Sequence, residues 1–234
     1  MVAKKKRKKT NKRNVKKQKA RGYIYGAIGL FVIALAVVII VGNVQKTEAA
    51  FDYKGQPYLG DKRAPVKIVE FGDYKCPYCK NFNETAFPEI EKDLVDTGKA
   101  SFYFLNDPFI YTDSTRSALF AETVYHALGN QIFWKFHDQL YGKQPADSKY
   151  EQMDVYTNDF LQKTLQEVTS QAKVDKVMKA FKAKKYENDL KKDQSYVSKL
   201  GIQGTPAFFI NGKEFKGTTY DDLIEMVNKA AKTD

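Results

Sequence analysis

The sequence of 234 residues carries a formal charge of +11, which taken alone would suit a nucleic-acid binder. The charge sits in one place: residues 1–21 hold 12 Lys and Arg and no Asp or Glu, leaving 27 basic and 28 acidic residues, net −1, in the rest of the chain. A basic footprint belongs on the folded domain that uses it, so nucleic acid is set aside as a partner.

After the basic tail of residues 1–21 no charged residue occurs from Gly22 to Gln45, and Tyr23 to Gly42 is rich in Ile, Val, Leu and Ala. Twenty helical residues span roughly 30 Å, the thickness of a bilayer's hydrocarbon core. Residues 22–42 therefore read as one transmembrane anchor, with Tyr23 and Tyr25 at an interface. The basic flank puts the N-terminus in the cytoplasm and the remainder outside the cell membrane. A cleaved signal peptide is the competing reading. The apolar run is long for one, and Thr47-Glu48-Ala49 is a mediocre cleavage site. Residues 43–62 mix Gly, Pro, Lys, Gln and Asp without periodicity and read as a linker. Residues 63–234 read as one domain, long enough to bury a real core.

Within the domain, Val66 to Phe71 predicts a strand. A helix starts near Cys76, runs through Phe82, Phe87 and Ile90 towards Asp96, and stops at Gly98. Ala100 to Leu105 predicts a second strand, parallel to the first because the crossover is long. A helical stretch follows, about 112–185. Its first helix is capped by Asp113 or Ser114 and ends at Gly129. The next carries Ile132, Phe133, Phe136 and Leu140 and ends at Gly142. Further helices are expected near 154–168 and 174–184, and one from Glu187 to Leu200 stopped by Gly201. Ala207 to Ile210 returns to strand, Asn211-Gly212 signals a hairpin turn, and Phe215 lies on the returning strand. Thr219, with Asp222 three residues on, starts a final helix carrying Leu223, Val227 and Ala230. Phe102, Phe104, Phe208 and Phe209 are assigned to the core. Trp134, His137 and Tyr141 share a helical face and are read as packed or half-exposed.

The chemistry is concentrated in Cys76-Pro77-Tyr78-Cys79, which holds both cysteines of the chain. Two thiols at this spacing, in a turn between strand and helix, can make and break a disulfide with each other. Cys76 falls at the helix N-terminus. Free backbone N–H groups and the helix dipole favour a thiolate there and bring its pKa below the ordinary thiol value of roughly 8.5. Pro77 suits the first helical turn. Cys79, one turn along, is the shielded partner that resolves mixed disulfides. Zinc would need four ligands that the chain does not assemble here. No metal ligand set is identified, although the scattered acidic residues leave a calcium site open. Glu70 interrupts an apolar strand. Burial would raise its pKa and let it exchange a proton with Cys79; pairing with a lysine is the plainer alternative. Thr205-Pro206 precedes a strand, a place where proline is tolerated and where an X–Pro bond can be cis.

Glu70-Phe71 before the turn, the CxxC itself, Phe133-Trp-Lys-Phe-His137, and Leu200-Gly-Ile-Gln-Gly-Thr-Pro-Ala-Phe-Phe209 occur in the order found in the DsbA family. From about Pro65 onward the chain resembles that family, especially its membrane-anchored Gram-positive BdbD-type members. The resemblance implies a thioredoxin fold with an inserted helical domain, an α/β architecture. It implies a cis bond before Pro206, Cys76 as the attacked and attacking sulfur, and Cys79 as the resolving one. Thr205 and Pro206, with Pro77 and Tyr78, would then form the edge on which substrate docks. The reagent would be the Cys76–Cys79 disulfide, with no other cofactor. The implied partners are reduced secreted proteins and a quinone-linked membrane reoxidase of the DsbB type. The leading expectation is a monomeric thiol–disulfide oxidase. An isomerase or reductase of the same fold, and a chaperone-like binding module with incidental redox chemistry, remain open.

Overall fold

The computed structural model describes residues 48–232. The basic tail expected over 1–21 and the membrane anchor expected over 22–42 lie outside the described residues. Among the described residues no helix is long and apolar enough to cross a membrane.

Strand β1 (Tyr58–Leu59), β2 (Val66–Gly72), β3 (Ala100–Asn106), β4 (Ala207–Ile210) and β5 (Lys213–Glu214) form one sheet in the order β1-β3-β2-β4-β5. β2 runs parallel to β3 with Glu70 opposite Phe104, and antiparallel to β4 with Glu70 opposite Phe208. Side chains alternate across a strand, and this divides the core. Val66, Ile68, Phe102 and Phe104 face one apolar cluster, whereas Val69, Phe71, Tyr103, Leu105 and Phe209 face another. Both faces of β2 are therefore covered. Glu70 shares its parity with Val66 and Ile68, and is directed into the first of these cores.

The crossover from β2 to β3 is not the single helix expected from Cys76 to Asp96. Helix α1 (Pro77–Thr85) ends at Ala86, α2 (Phe87–Ile90) follows, and a wide turn over Glu91–Val95 completes the connection. Pro88 lacks the N–H that a continuous helix would bond to Glu84, and its ring crowds that carbonyl. Gly98 ends the crossover at φ 74°.

Between β3 and β4 the chain is helical: α3 (Thr112–Leu128), α4 (Asn130–Gly142), a 3-10 turn (Ser148–Gln152), α5 (Asn158–Gln166), α6 (Gln171–Lys182) and α7 (Glu187–Leu200). Helix α5 starts later than 154 because the Thr157 hydroxyl caps it, accepting the Phe160 N–H at 3.2 Å. Gly201, at φ 67°, stops α7. Asn211 and Gly212 both adopt positive φ, 45° and 81°, the backbone of a tight hairpin turn. Pairing continues past β5, with the Phe215 N–H donating to Phe208 O at 2.8 Å. Helix α8 (Tyr220–Ala230) starts with the expected reciprocal capping of Thr219 and Asp222.

From residue 48 onward the expected linker is instead part of the fold. The Ala49 N–H donates to Gly212 O at 2.8 Å, Phe51 packs on Phe71, Tyr196 and Phe209, and Tyr58 pairs with Tyr103. Phe51 covers Phe71 and Phe209 of the second core, and Tyr53 and Tyr58 cover Tyr103. These aromatics were the overlooked signal in a stretch that otherwise looked polar. A buried polar cluster lies at the end of β3. Asp193 accepts the Asn106 N–H at 2.8 Å and Gln56 Nε2 at 2.7 Å, and Asn106 Nδ2 donates to Glu122 at 2.7 Å.

Candidate active site

β2 delivers the chain to the site through a close approach. A Cβ at Gly72 would fall 2.5 Å from the Phe104 ring and 3.0 Å from the Tyr141 hydroxyl, so only glycine fits. Asp73 then shapes the turn. Its carboxylate accepts the N–H groups of Lys75 (2.9 Å), Phe109 (3.0 Å) and Ile110 (3.1 Å), and its carbonyl accepts the Cys76 N–H at 2.9 Å.

Cys76 is the N-cap of α1, with extended backbone, and Pro77 occupies the first turn. The Cys79 N–H donates to Cys76 Sγ at 3.4 Å, as a capping side chain requires. Both cysteines are unbridged and buried, Cys79 completely, while Pro77 and Tyr78 between them are exposed. The Thr205–Pro206 bond is cis. Thr205 reaches the sulfurs from the opposite side: the Cys76 thiol donates to its carbonyl at 3.2 Å. The Thr205 hydroxyl is buried and unpartnered beside the neutral thiols, and as a donor to a thiolate it favours the charged form of both sulfurs.

The two thiols are driven apart. A hydrogen bond from Cys79 brings the Cys76 pKa down to about 6 against the opposing effect of burial, helped by Thr205 and by the backbone N–H groups of Cys79 and Tyr78. Burial pushes Cys79 up, and its bond to Cys76 and the nearby Glu70 carboxylate add to that. Glu70 is 2% exposed and its Oε1 has no hydrogen-bond partner. Burial, and secondly the negative charge of Cys76, hold its carboxyl well above the usual range. Among the described residues no lysine pairs with it. Glu70, Cys76, Cys79, Thr205 and Pro206 thus gather at one end of β2 and β4, with Pro77 and Tyr78 on the exposed lip.

Beside Pro206 a groove of about 490 Å³ runs between α1 and α8, lined by Phe82, Ala86, Gly204, Phe208, Phe215 and Tyr220 among others. Trp134 and His137 are not part of it. Trp134 Nε1 donates to Tyr58 O at 2.9 Å, and His137 Nδ1 lies 3.0 Å from the Tyr74 hydroxyl. Burial lowers the His137 pKa to about 3, so the ring is neutral. Sequence reasoning missed the partners of the turn itself: Lys75, Asp113, Gln144, Tyr150 and Tyr156. Lysine beside a CxxC looks like a surface charge, and its partners lie 38 or more residues away.

A CxxC turn at a helix N-terminus, opposed by a cis proline on a neighbouring strand, defines a thiol–disulfide oxidoreductase. The comparisons agree. The thioredoxin family model matches residues 52–229. The probable disulfide bond formation protein D of Bacillus anthracis is 32% identical over 215 residues, 88% of this chain and 96% of that protein. Disulfide bond formation protein D of Bacillus subtilis is 37% identical over 180 residues, 76% of this chain and 78% of that one. The crystal structure of oxidised BdbD from Bacillus subtilis superposes with a TM-score of 0.72 at 35% identity, covering 79% of this chain and 97% of that one. Chlamydia trachomatis DsbA shares the fold at a TM-score of 0.66 and 22% identity, over 80% of this chain and 96% of that one. The chain belongs to the thioredoxin family, among the BdbD-type disulfide bond formation proteins, and it is a protein thiol–disulfide oxidoreductase.

Proposed function

We propose that the protein is an oxidase that donates the Cys76–Cys79 disulfide to reduced secreted or surface proteins. The observation that carries this reading is the opposed pull on the two sulfurs. Cys76, with its pKa near 6, is a stable thiolate and a good leaving group, and stabilising the reduced form makes the disulfide oxidising. A substrate thiolate attacks Cys76 Sγ, forming a mixed disulfide and breaking the Cys76–Cys79 bond. Cys79 leaves as a thiolate in a buried site and takes the proton held by Glu70. A second substrate thiolate then attacks the substrate sulfur of the mixed disulfide and releases Cys76 as a thiolate. Two electrons have passed from the substrate dithiol to the cysteine pair. The substrate chain lies along the Thr205–Pro206 edge, a form of strand addition, with Tyr78 and the groove beside Pro206 taking its side chains.

In this reading residues 22–42 anchor the protein in the cell membrane with the basic tail in the cytoplasm. The folded domain, with residues 112–185 as its helical insertion, works outside as a monomer. A quinone-linked membrane protein of the DsbB type reoxidises it. The uncharged run of Gly22 to Gln45 behind the basic tail supports this. The deciding experiment is the reduction potential of the pair against glutathione. A value between about −120 mV and halfway to thioredoxin's ~−270 mV is expected. A value at or below thioredoxin's would make the dithiol the stable form and turn the protein into a reductase or isomerase. In parallel, Cys76→Ser should bring oxidation of a reduced test protein down to the uncatalysed rate; retained turnover would refute Cys76 as the reacting sulfur.

A further inference from the structure

Lys75 immediately precedes the cysteine pair, and its side chain is wholly buried, as is that of Asp113. Its ammonium lies 2.9 Å from Asp113 Oδ1 and donates to Asp113 Oδ2 (3.1 Å), Tyr150 O (2.8 Å) and Met153 O (2.6 Å). Asp113, in the first turn of α3, also accepts the N–H groups of Val155 (2.8 Å) and Tyr156 (2.9 Å). The tie is reciprocal, because the carbonyls of three consecutive turn residues accept from the same stretch of the insertion. Tyr74 O accepts the Tyr156 hydroxyl and Gln144 Nε2, each at 2.9 Å. Lys75 O accepts the Tyr150 hydroxyl at 2.7 Å, and Cys76 O accepts Gln144 Nε2 at 3.0 Å.

A buried ion pair is weak evidence for a role in stability, since apolar residues of similar volume often serve as well or better. A densely bonded network still fixes one geometry, and here Asp113 Oδ2 takes three hydrogen bonds while Oδ1, without a hydrogen bond of its own, lies 2.9 Å from the ammonium. We propose that Lys75 and Asp113 are positioning residues for the redox turn: they tie the backbone of residues 74–76 to segment 144–156 and so hold the Cys76 sulfur against the Cys79 amide and Thr205. The inserted helices thereby set the redox character of a turn that belongs to the sheet domain. This rests on Cys76 being the reacting sulfur.

The geometry gives the tie its leverage. The Cys79 N–H to Cys76 Sγ contact, 3.4 Å, is an ordinary length for a sulfur acceptor, and it is made only while the turn holds the sulfur over that amide, so a shift of the turn weakens it. The sulfur then loses the donors that stabilise its thiolate. The titratable groups that act on Cys76 are Cys79 on α1, Glu70 on β2 and Tyr150 on the insertion, and Asp73 bonds the turn's own N–H groups. None of these is altered in the variants below, apart from Tyr150 in one of them.

The test uses the full-length chain and the double variant Lys75→Met/Asp113→Leu, which removes both charges together and leaves neither buried alone. Thiolate absorbance is followed against pH, and the equilibrium with glutathione is measured at pH 7. The Cys76 midpoint should rise by about 1, and the equilibrium should move about five-fold towards the oxidised pair, making a weaker oxidant. Tyr150→Phe deletes one hydroxyl from the tie without touching the ion pair and should shift both readouts the same way, by less. A folded double variant with the parent's midpoint and glutathione equilibrium would overturn the proposal and leave the pair a packing feature. If the double variant does not fold, an unchanged Tyr150→Phe overturns it. Neither readout depends on protein substrate, so a failure here is distinct from retained turnover in Cys76→Ser.

Discussion

Among the ionisable residues buried on the approach to Cys76, Glu70 and Lys75 are treated oppositely by the fold. Glu70, on the last turnable stretch of β2, has an oxygen with no hydrogen-bond partner. Lys75, five residues on, meets both Asp113 oxygens and the carbonyls of Tyr150 and Met153. Equal burial therefore does not mean equal chemistry. A carboxylate oxygen without a donor is costly to hold charged, so Glu70 keeps its proton well above the usual range, as the proposed exchange with Cys79 requires. The Lys75 ammonium, ringed by acceptors, serves as a tie.

The largest effect should come from leaving one half of the tie behind. Asp113→Leu strands the Lys75 ammonium in the protein interior and should cost about 3–5 kcal/mol in urea unfolding. Adding Lys75→Met should restore most of it. A loss under about 1 kcal/mol from the single change would mean that the ammonium escapes to water and the two buried groups are not so different.

Glu70→Gln should act in the opposite sense on stability. The native carboxyl has a raised pKa, so the native state holds a proton that the unfolded state gives up near pH 4.5. Native stability therefore falls as pH rises from about 4.5 towards the raised value, by linkage. The glutamine variant lacks that slope and should be the more stable protein at pH 7. Its rate of disulfide transfer should fall about 10²-fold, the low end for losing a general acid–base group. Stopped-flow oxidation of a reduced test protein and urea unfolding at pH 5 and pH 7 give the two halves. An unchanged rate would make Glu70 a bystander.

The same contrast explains how far the sequence could be read. Glu70 was visible because a carboxylate breaks the apolar run of β2, and period-two alternation fixes which core it enters. The CxxC turn and Thr205-Pro206 were visible because each carries its own local chemistry. Lys75 was not, because a lysine next to Asp73 and Cys76 has no local pattern that marks it as buried. Its meaning comes from Asp113, Tyr150 and Met153, whose positions are set by how the inserted helices pack. Residues 48–62 look like a linker in sequence for the related reason that Phe51 and Tyr53 find their partners on Tyr196 and Tyr103, far along the chain. The break at Ala86 is legible in Pro88, which overrides the helical spacing of Phe82, Phe87 and Ile90.

The finest distinction concerns Thr205, whose buried hydroxyl has no partner beside the neutral thiols but, donating to a thiolate, favours charge on sulfur. Thr205→Val replaces that hydroxyl with a methyl group of the same size. With no hydrogen bond broken, stability at pH 5 should barely change. The Cys76 midpoint should rise by about 0.5, less than on loss of the Lys75 tie, because Cys79 remains the first cause of its low value. In the reduced protein the native Cys76 sheds its proton near pH 6 while the unfolded thiol keeps it to about 9, so stability rises with pH across that window. The valine variant starts its rise later and gains less by pH 9. The oxidised protein, with no thiol to titrate, lacks this contribution in either version. Urea midpoints of both redox forms at pH 5, 7 and 9 would read the effect. An identical rise in parent and variant would mean that Thr205 touches the sulfur only through its carbonyl.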